Sequence, residues 1–241
     1  MRLPLYFLST LAYFWVPSAV LAAREWPRLT DARREAFGAA LAVIWPMSVV
    51  MEYVYLHFQI WTFSERLDPL LGPRIHGAPI EEFCFWLGAP VFILLVYCAW
   101  RRGRREAPAA EAGTAAEGFF LLLADSVPAS VPGFLAGSAL AWWDILYLPF
   151  LAAFWWLYHA FRRRVSWRAA WLTVLVFEGV VFPAEVFSVH RGHWVYNEAR
   201  ILGPRLLGVP IEEPLLYYLF SPLIIVTVFE AWRALLGRRT A

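Results

Sequence analysis

The sequence predicts an all-α polytopic membrane protein with about seven transmembrane helices, arranged as two parallel three-helix repeats joined by a linking helix. Three observations support this fold class. Hydrophobic residues make up 61% of the 241 residues and aromatic residues 18%, a composition too apolar for a soluble domain of this length. Apolar runs of membrane-spanning length alternate with arginine clusters. A long motif rich in glutamate also occurs twice, once in each half of the chain.

The basic residues indicate how the chain lies in a membrane. The sequence has no lysine, so all 21 basic residues are arginines, and they cluster between the apolar runs. Such clusters are typical of cytoplasmic loops, whereas a nucleic-acid-binding protein needs a continuous basic face. We therefore expect an integral protein of a bacterial or archaeal cell membrane, with arginine-rich loops in the cytoplasm and no nucleic-acid partner.

Three helices are predicted in the first half. The first apolar run, Leu3–Ala23, also suits a signal peptide, but a counterpart in the second half favours a retained helix. The second run is Ala36–Leu56, and a loop poor in basic residues follows it over His57–Ala78. Pro79–Trp100 is the third run; proline fits the first turn of a helix, and glutamates there suit the positive end of the helix dipole.

The middle of the chain is harder to interpret. Residues 103–117 are rich in Gly, Ala, Glu and Arg and resemble a linker. The clusters Arg101–Arg105 and Arg162–Arg168 should lie on the same side of the membrane, which requires an even number of crossings between them. We therefore predict a weak fourth helix near 118–137 and a fifth near 140–161.

The second half repeats the organisation of the first. Its remaining helices are predicted over Trp167–Val189 and Pro210–Leu235, separated by a loop over His190–Val209. A second copy fused directly to a three-helix unit would be inverted in the membrane, because three crossings end on the opposite side. The linking helix adds one crossing and restores the orientation of the second copy. The predicted segments are a first repeat over 1–102, a linker with the linking helix over 103–137, and a second repeat over 138–241.

The repeated motif spans a helix end, a loop and the next helix start. Both copies read Glu-x4-His-x3-Trp-x-Phe/Tyr-x-Glu, then Leu-Gly-Pro-Arg and Gly-x-Pro-Ile-Glu-Glu. The first copy runs from Glu52 to Glu82, and the second from Glu185 to Glu213. Parallel repeats place both loops on one membrane face, so we expect the two Glu-Glu pairs to approach each other around a central cavity.

The repeated glutamates are candidates for proton chemistry. Carboxyl groups inside a membrane are costly to bury and are functional by default. A carboxylic acid that keeps its proton can serve as a general acid, and an ionised neighbour can serve as a base. The loop residues Glu65 and Glu198 are equally well explained as ion-pair partners of Arg74 and Arg205. The repeated positions are Glu52, Glu65, Glu81, Glu82, Glu185, Glu198, Glu212 and Glu213.

Aromatic residues accompany the acids, and their ring faces can stabilise a cation. Those near the motif are Trp61, Phe63, Trp86, Trp194, Tyr196 and Tyr217. His57 and His190 occupy equivalent positions and fit either a proton relay or a membrane interface. We expect no metal site, because a His-x-x-His pair, His190 and His193, occurs in one copy only. No dinucleotide-binding glycine pattern, aspartate-rich diphosphate motif or serine-nucleophile motif occurs in the sequence.

At these motifs the sequence resembles the heterodimeric-type lycopene cyclases of carotenoid biosynthesis, with both subunit-like halves fused in one chain. The resemblance covers about residues 3–100 and 138–236. It implies an isomerase without cofactors that closes the linear ψ end groups of lycopene to β rings through a carbocation. It also implies lycopene or a related linear carotenoid as substrate, membrane lipid as surroundings and other carotenoid-pathway enzymes as partners.

Carried onto this chain, the resemblance assigns the site residues. The catalytic candidates are Glu81, Glu82, Glu212 and Glu213, supported by Glu52 and Glu185. The substrate-binding candidates are Trp61, Phe63, Glu65, Trp86, Trp194, Tyr196, Glu198 and Tyr217. A carotenoid hydratase, an ε-cyclase, a C50 carotenoid cyclase and a proton-coupled transporter remain as alternatives, whereas the absence of lysine excludes a retinal Schiff base.

Overall fold

The computed structural model describes residues 4–64, 73–75, 77–101 and 142–237, and the chain is mostly helical there. Five helices are long and apolar enough to cross a membrane. The helices, in chain order, are α1 (Leu5–Arg28), α2 (Asp31–His57), α3 (Ile80–Trp100), α4 (Trp142–Phe161), α5 (Trp167–Arg191) and α6 (Glu213–Leu236). The membrane-spanning candidates are α1, α2, α3, α5 and α6.

The helix boundaries agree with the predicted ones to within a few residues, apart from the start of α2 and the end of α1. Helix α4 coincides with the predicted fifth helix over 140–161. The predicted linker over 103–117 and fourth helix over 118–137 lie outside the described residues, so the count of seven helices stays a prediction. Helix α6 begins at Glu213 rather than Pro210, because Val209–Pro210 forms a short strand.

Three pairs of short antiparallel strands lie in the two motif loops, which the sequence predicted only as loops. Their two or three residues are too few for a recognisable alternation of apolar and polar side chains. The strands are β1 (Trp61–Phe63), β2 (Arg74–Ile75), β3 (Ala78–Pro79), β4 (Trp194–Tyr196), β5 (Arg205–Leu206) and β6 (Val209–Pro210). The pairs are β1 with β4, β2 with β3, and β5 with β6.

The turn between β5 and β6 explains the glycine of the repeated Gly-x-Pro motif. Leu207 and Gly208 both have positive φ, 51° and 86°, as a type I′ hairpin turn requires. The guanidinium of Arg205 donates to the Gly208 carbonyl at 2.7 Å and closes the turn. Gly77 has a φ of 90°, and Arg74 donates to its carbonyl at 3.1 Å, so the first loop is closed in the same way.

Helix α1 packs directly against α3. The Trp15 indole donates to the Cys84 carbonyl at 2.8 Å, and a Cβ at Gly88 would lie only 3.0 Å from the same indole nitrogen. From α2, the Trp45 indole donates to the Leu87 carbonyl at 3.1 Å. Three helices of the first half therefore pack closely together, and α1 is part of the folded protein.

A buried ionic cluster holds the arginine-rich ends of the helices together. Glu230 of α6 is fully buried and contacts Arg101 at the end of α3, and it also accepts from Arg233 at 2.8 Å and Tyr97 at 3.0 Å. The backbone N–H of Ser166, just before α5, donates to the Tyr97 hydroxyl at 3.0 Å. These contacts lie at the helix ends opposite the strands.

Candidate active site

The six glutamates predicted to be catalytic are all buried. Their exposed fractions are between 0% and 6%. Burying a carboxyl group in an apolar interior is costly unless other groups hydrogen-bond to it, so their surroundings indicate how each is used. The six residues are Glu52, Glu81, Glu82, Glu185, Glu212 and Glu213.

The two members of each Glu-Glu pair face different surroundings. Glu212 accepts a hydrogen bond from the backbone N–H of Leu202, in the loop that carries the Leu-Gly-Pro-Arg segment. Glu213, the next residue, points into a cavity, as does Glu82 of the first pair. Neighbouring residues at a helix start lie about 100° apart around the axis, so one can hold the loop while the other faces the cavity.

Indole groups hold Glu52 at the end of α2. Trp61 of β1 donates to one carboxyl oxygen at 3.3 Å, and Trp86 of α3 donates to the other at 3.0 Å. An indole nitrogen can only donate a hydrogen bond, so both oxygens of Glu52 are held as acceptors. Glu82 lies nearby and contacts the hydroxyl of Tyr6 from α1.

The equivalent acid of the second half, Glu185, is held mainly by phenols. Trp194 of β4 donates to its Oε1 at 2.8 Å, and Tyr196 contacts the same oxygen. Tyr218 of α6 donates to its Oε2 at 2.8 Å. The Tyr196 hydroxyl also lies 2.8 Å from Glu213 Oε1 and therefore connects Glu185 to Glu213.

The Tyr196 hydroxyl keeps its proton. Burial, together with the adjacent carboxyl groups of Glu185 and Glu213, raises its pKa well above the ordinary value for tyrosine. A neutral phenol can donate one hydrogen bond and accept others. It can therefore pass a proton between two acids.

The acids and aromatic rings line one cavity. Three carboxyl groups line it, from Glu82, Glu185 and Glu213. The ring-bearing residues in its wall are Trp61, Phe63, Phe85, Trp86, Trp194, Tyr196, Tyr217 and Tyr218. The lining comes from both halves of the chain, so one cavity contains acids of both motif copies.

A second cavity, almost entirely apolar, adjoins the first. It shares Phe85, Trp86 and Tyr217 with the acidic cavity. Its remaining wall comes mainly from aliphatic and small side chains of α2, α3 and α6, such as Ile44, Met51, Ile93, Ile224 and Ile225. Together the two cavities place acids and aromatic rings beside a mostly apolar lining.

The pair of strands β1 and β4 connects the two motif loops beside the acidic cavity. Trp61 pairs with Tyr196, the counterpart of Phe63, and Phe63 pairs with Trp194, the counterpart of Trp61, so the pairing is unchanged when the two copies are exchanged. The flanking backbone bonds match as well. The backbone N–H of Ser64 donates to the His193 carbonyl at 3.1 Å, and the backbone N–H of Asn197 donates to the Ile60 carbonyl at 2.9 Å. The two loops therefore lie at the same end of the molecule.

Some predicted residues lie away from the cavity. Glu198 is 72% exposed and forms an ion pair with Arg205, as the ion-pair alternative expected. Its counterpart Glu65 lies outside the described residues. His57 and His190 are both exposed, and a ring nitrogen of His190 is bonded to the Val186 carbonyl within its own helix.

Four residues of the site were missed in the sequence. Phe85 and Tyr218 lie within two turns after the Glu-Glu pairs, so helical spacing could have indicated them. Tyr6 comes from α1, far from any motif, and nothing in the sequence connects it with Glu82. His193 is fully buried, and its ring centroid lies 4.9 Å from that of Tyr6.

The fold and the site define a helical protein with helices long and apolar enough to span a membrane and a buried chamber of acids and aromatic rings. The lycopene cyclase family model matches residues 4–100 and 134–232, so the chain belongs to the lycopene cyclase family.

A curated relative and the solved structures complete the comparison. The chain is 25% identical over 243 aligned residues to the bifunctional lycopene cyclase/phytoene synthase of Neurospora crassa. The alignment covers 92% of this chain but 39% of that protein, so the chain spans well under half of its relative's length. No solved structure matches the chain.

Proposed function

We propose that this chain is a lycopene β-cyclase that closes ψ end groups by acid catalysis, without a cofactor. The observation that carries the proposal is the acidic cavity, in which Glu82, Glu185 and Glu213 face aromatic rings and an adjoining apolar cavity. The reactive end group would occupy the acidic cavity. The polyene chain would extend through the apolar one toward the lipid.

The reaction follows from the groups in the wall. A protonated glutamate donates its proton to the terminal double bond and leaves a tertiary cation, which the internal double bond attacks to close a six-membered ring. A carboxylate then removes a ring proton and leaves the β double bond. One proton enters and one leaves, with no change in oxidation state, so the reaction needs no redox cofactor.

The aromatic rings serve the cation that forms between the two proton transfers. Trp86 and Tyr217 line both cavities and lie edge to face, with ring centroids 5.5 Å apart. Aromatic faces attract a nearby cation by about 2 kcal/mol or more where water is excluded. A wall of rings also keeps water away from the cation, which favours proton loss over hydration.

We further propose that the two halves are parallel three-helix repeats around an axis along the membrane normal. The matched hairpins and the symmetric pairing of β1 with β4 support this arrangement. Helix α3 and helix α4 both end at the arginine-rich side, α4 at Phe161. A seventh helix between them would cross back to the other side and so give both halves the same orientation. The arginine-rich ends would face the cytoplasm.

Pigment analysis in a lycopene-accumulating bacterium tests the function. Expression of the chain should give monocyclic or bicyclic β-ring products whose mass equals that of lycopene. Products heavier by one water would instead identify a hydratase, and ε rings would identify the other regiochemistry. Unchanged lycopene from a correctly inserted protein would refute the enzyme proposal and leave transport as the alternative.

A further inference from the structure

We infer that Tyr196 is a proton relay between Glu185 and Glu213. It returns the proton that Glu185 takes from the substrate to Glu213, so that Glu213 becomes a carboxylic acid again without a proton from solvent. This inference rests on the proposed cyclase function. It concerns the stage after ring closure, when the acid has lost its proton and the base has gained one.

Hydrogen-bond geometry carries the inference. The Tyr196 hydroxyl has one proton, yet it is bonded to Oε1 of both Glu185 and Glu213. It can donate a hydrogen bond to one acid, and its oxygen can accept a hydrogen bond from the protonated form of the other. The two glutamates therefore share one proton through the phenol, one as carboxylic acid and the other as carboxylate.

The other donors decide which acid carries the proton. Glu185 also accepts from the Trp194 indole, which can only donate, and from the Tyr218 hydroxyl. The indole donates to Glu185 whatever the direction of the Tyr196 and Tyr218 hydroxyls, so we assign Glu185 as the carboxylate. Glu213 is then the carboxylic acid, and its proton is the one available for the substrate.

The cycle balances with these three groups. Glu213 gives its proton to the terminal double bond and becomes a carboxylate, and the ring closes. Glu185 takes the ring proton and becomes a carboxylic acid. Glu185 then gives a proton to the Tyr196 oxygen while Tyr196 gives its own to Glu213, which restores the starting state with no net proton exchanged.

The first half lacks this connection at the equivalent position. Phe63 corresponds to Tyr196, and its ring has no hydroxyl. Glu52, the counterpart of Glu185, is held there by two indoles that cannot pass a proton. Phe63 also shows that a phenylalanine ring is accommodated at this strand position, so Tyr196→Phe should fold.

Deuterium content tests the relay. In membranes loaded with excess lycopene in D₂O, the wild-type protein should give rings with clearly less than one deuterium each, because earlier substrate protons are reused. Tyr196→Phe should bring the content close to one deuterium per ring, with turnover about 10²-fold slower, since solvent must recharge Glu213. A residue that only supported the fold would change turnover without changing deuterium content.

The matched control is Tyr6→Phe, which removes the hydroxyl that contacts Glu82 and should leave deuterium content at the wild-type level. Full deuteration by the wild-type protein, or a change with Tyr6→Phe but not with Tyr196→Phe, would overturn the relay while leaving the cyclase function intact. If Tyr196→Phe proves inactive, the deuterium content of the wild-type product alone decides whether the relay operates. The absence of any cyclic product in the wild type would instead refute the function itself.

Discussion

The two halves of the molecule place equivalent acids at equivalent positions but hold them with different donors. Two indoles hold Glu52, whereas an indole and two phenols hold Glu185. Indoles fix a carboxylate as an acceptor, whereas phenols can also pass protons. The short strands of the two loops, by contrast, pair in the same way among the described residues. The two halves therefore share this strand pairing but differ in the side chains around each acid.

The largest expected effect comes from Glu82 and Glu213, the second acid of each Glu-Glu pair. Glu213→Gln should slow cyclisation by about 10²-fold to 10⁴-fold, and Glu82→Gln should slow any ring closure by the first half by the same factor, because an amide cannot donate the acid's proton. Pigment analysis at matched membrane protein levels measures this, with the exposed acid variant Glu198→Gln as the control. Normal cyclisation by Glu82→Gln would show that only the second half does chemistry.

A smaller effect is expected for Glu212, the neighbour of the proposed catalytic acid Glu213. Glu212→Gln keeps an oxygen that can accept from the Leu202 N–H, so it should retain activity within about tenfold of the wild type, far above Glu213→Gln. Glu212→Ala should lose both activity and thermal stability, because the loop N–H of Leu202 loses its partner. Equal losses for Glu212→Gln and Glu213→Gln would contradict the division of roles within the pair.

The equivalent indoles allow a direct comparison of the halves. Trp194 donates to Glu185 at 2.8 Å, whereas Trp61 donates to Glu52 at 3.3 Å. Trp194→Phe should therefore reduce turnover more than Trp61→Phe, by roughly tenfold against a few-fold, as expected for bonds to charged groups of about 1.5–3 kcal/mol. Initial rates of ring formation provide the measurement. A larger loss of turnover for Trp61→Phe than for Trp194→Phe would contradict this difference between the two indole bonds.

The smallest effect concerns the helix that supplies Tyr6. Gly88→Ala would crowd Trp15 and Phe14 of α1 and should lower the melting temperature, since overpacking costs about 1–3 kcal/mol. Gly179→Ala in α5 meets nothing within 4 Å and should leave stability equal or slightly higher. A thermal-shift assay in detergent compares the two, and equal melting temperatures would mean that α1 packs more loosely than described.

Much of the fold and part of the site could be predicted from the sequence. The apolar runs and arginine clusters indicated the helices, because the membrane requires long apolar segments. The repeat indicated six acids that are all buried. The short strands and the donor Tyr6 could not be predicted, because three-residue pairings and contacts between distant helices leave no periodic pattern. The separate roles of Glu212 and Glu213 could not be predicted either, because the sequence does not give the direction of each side chain.

The strand pair β1–β4 has a consequence for how this protein could be divided. Its backbone hydrogen bonds join the two motif copies, and each half alone would expose an unpaired strand edge. If the chain were cut between the repeats, the same bonds would become an interface between two polypeptides, formed by mutual strand addition. Each polypeptide would carry half of the acids, so the complete chamber would exist only in the assembled pair. A two-gene version of this protein would thus be an obligate heterodimer.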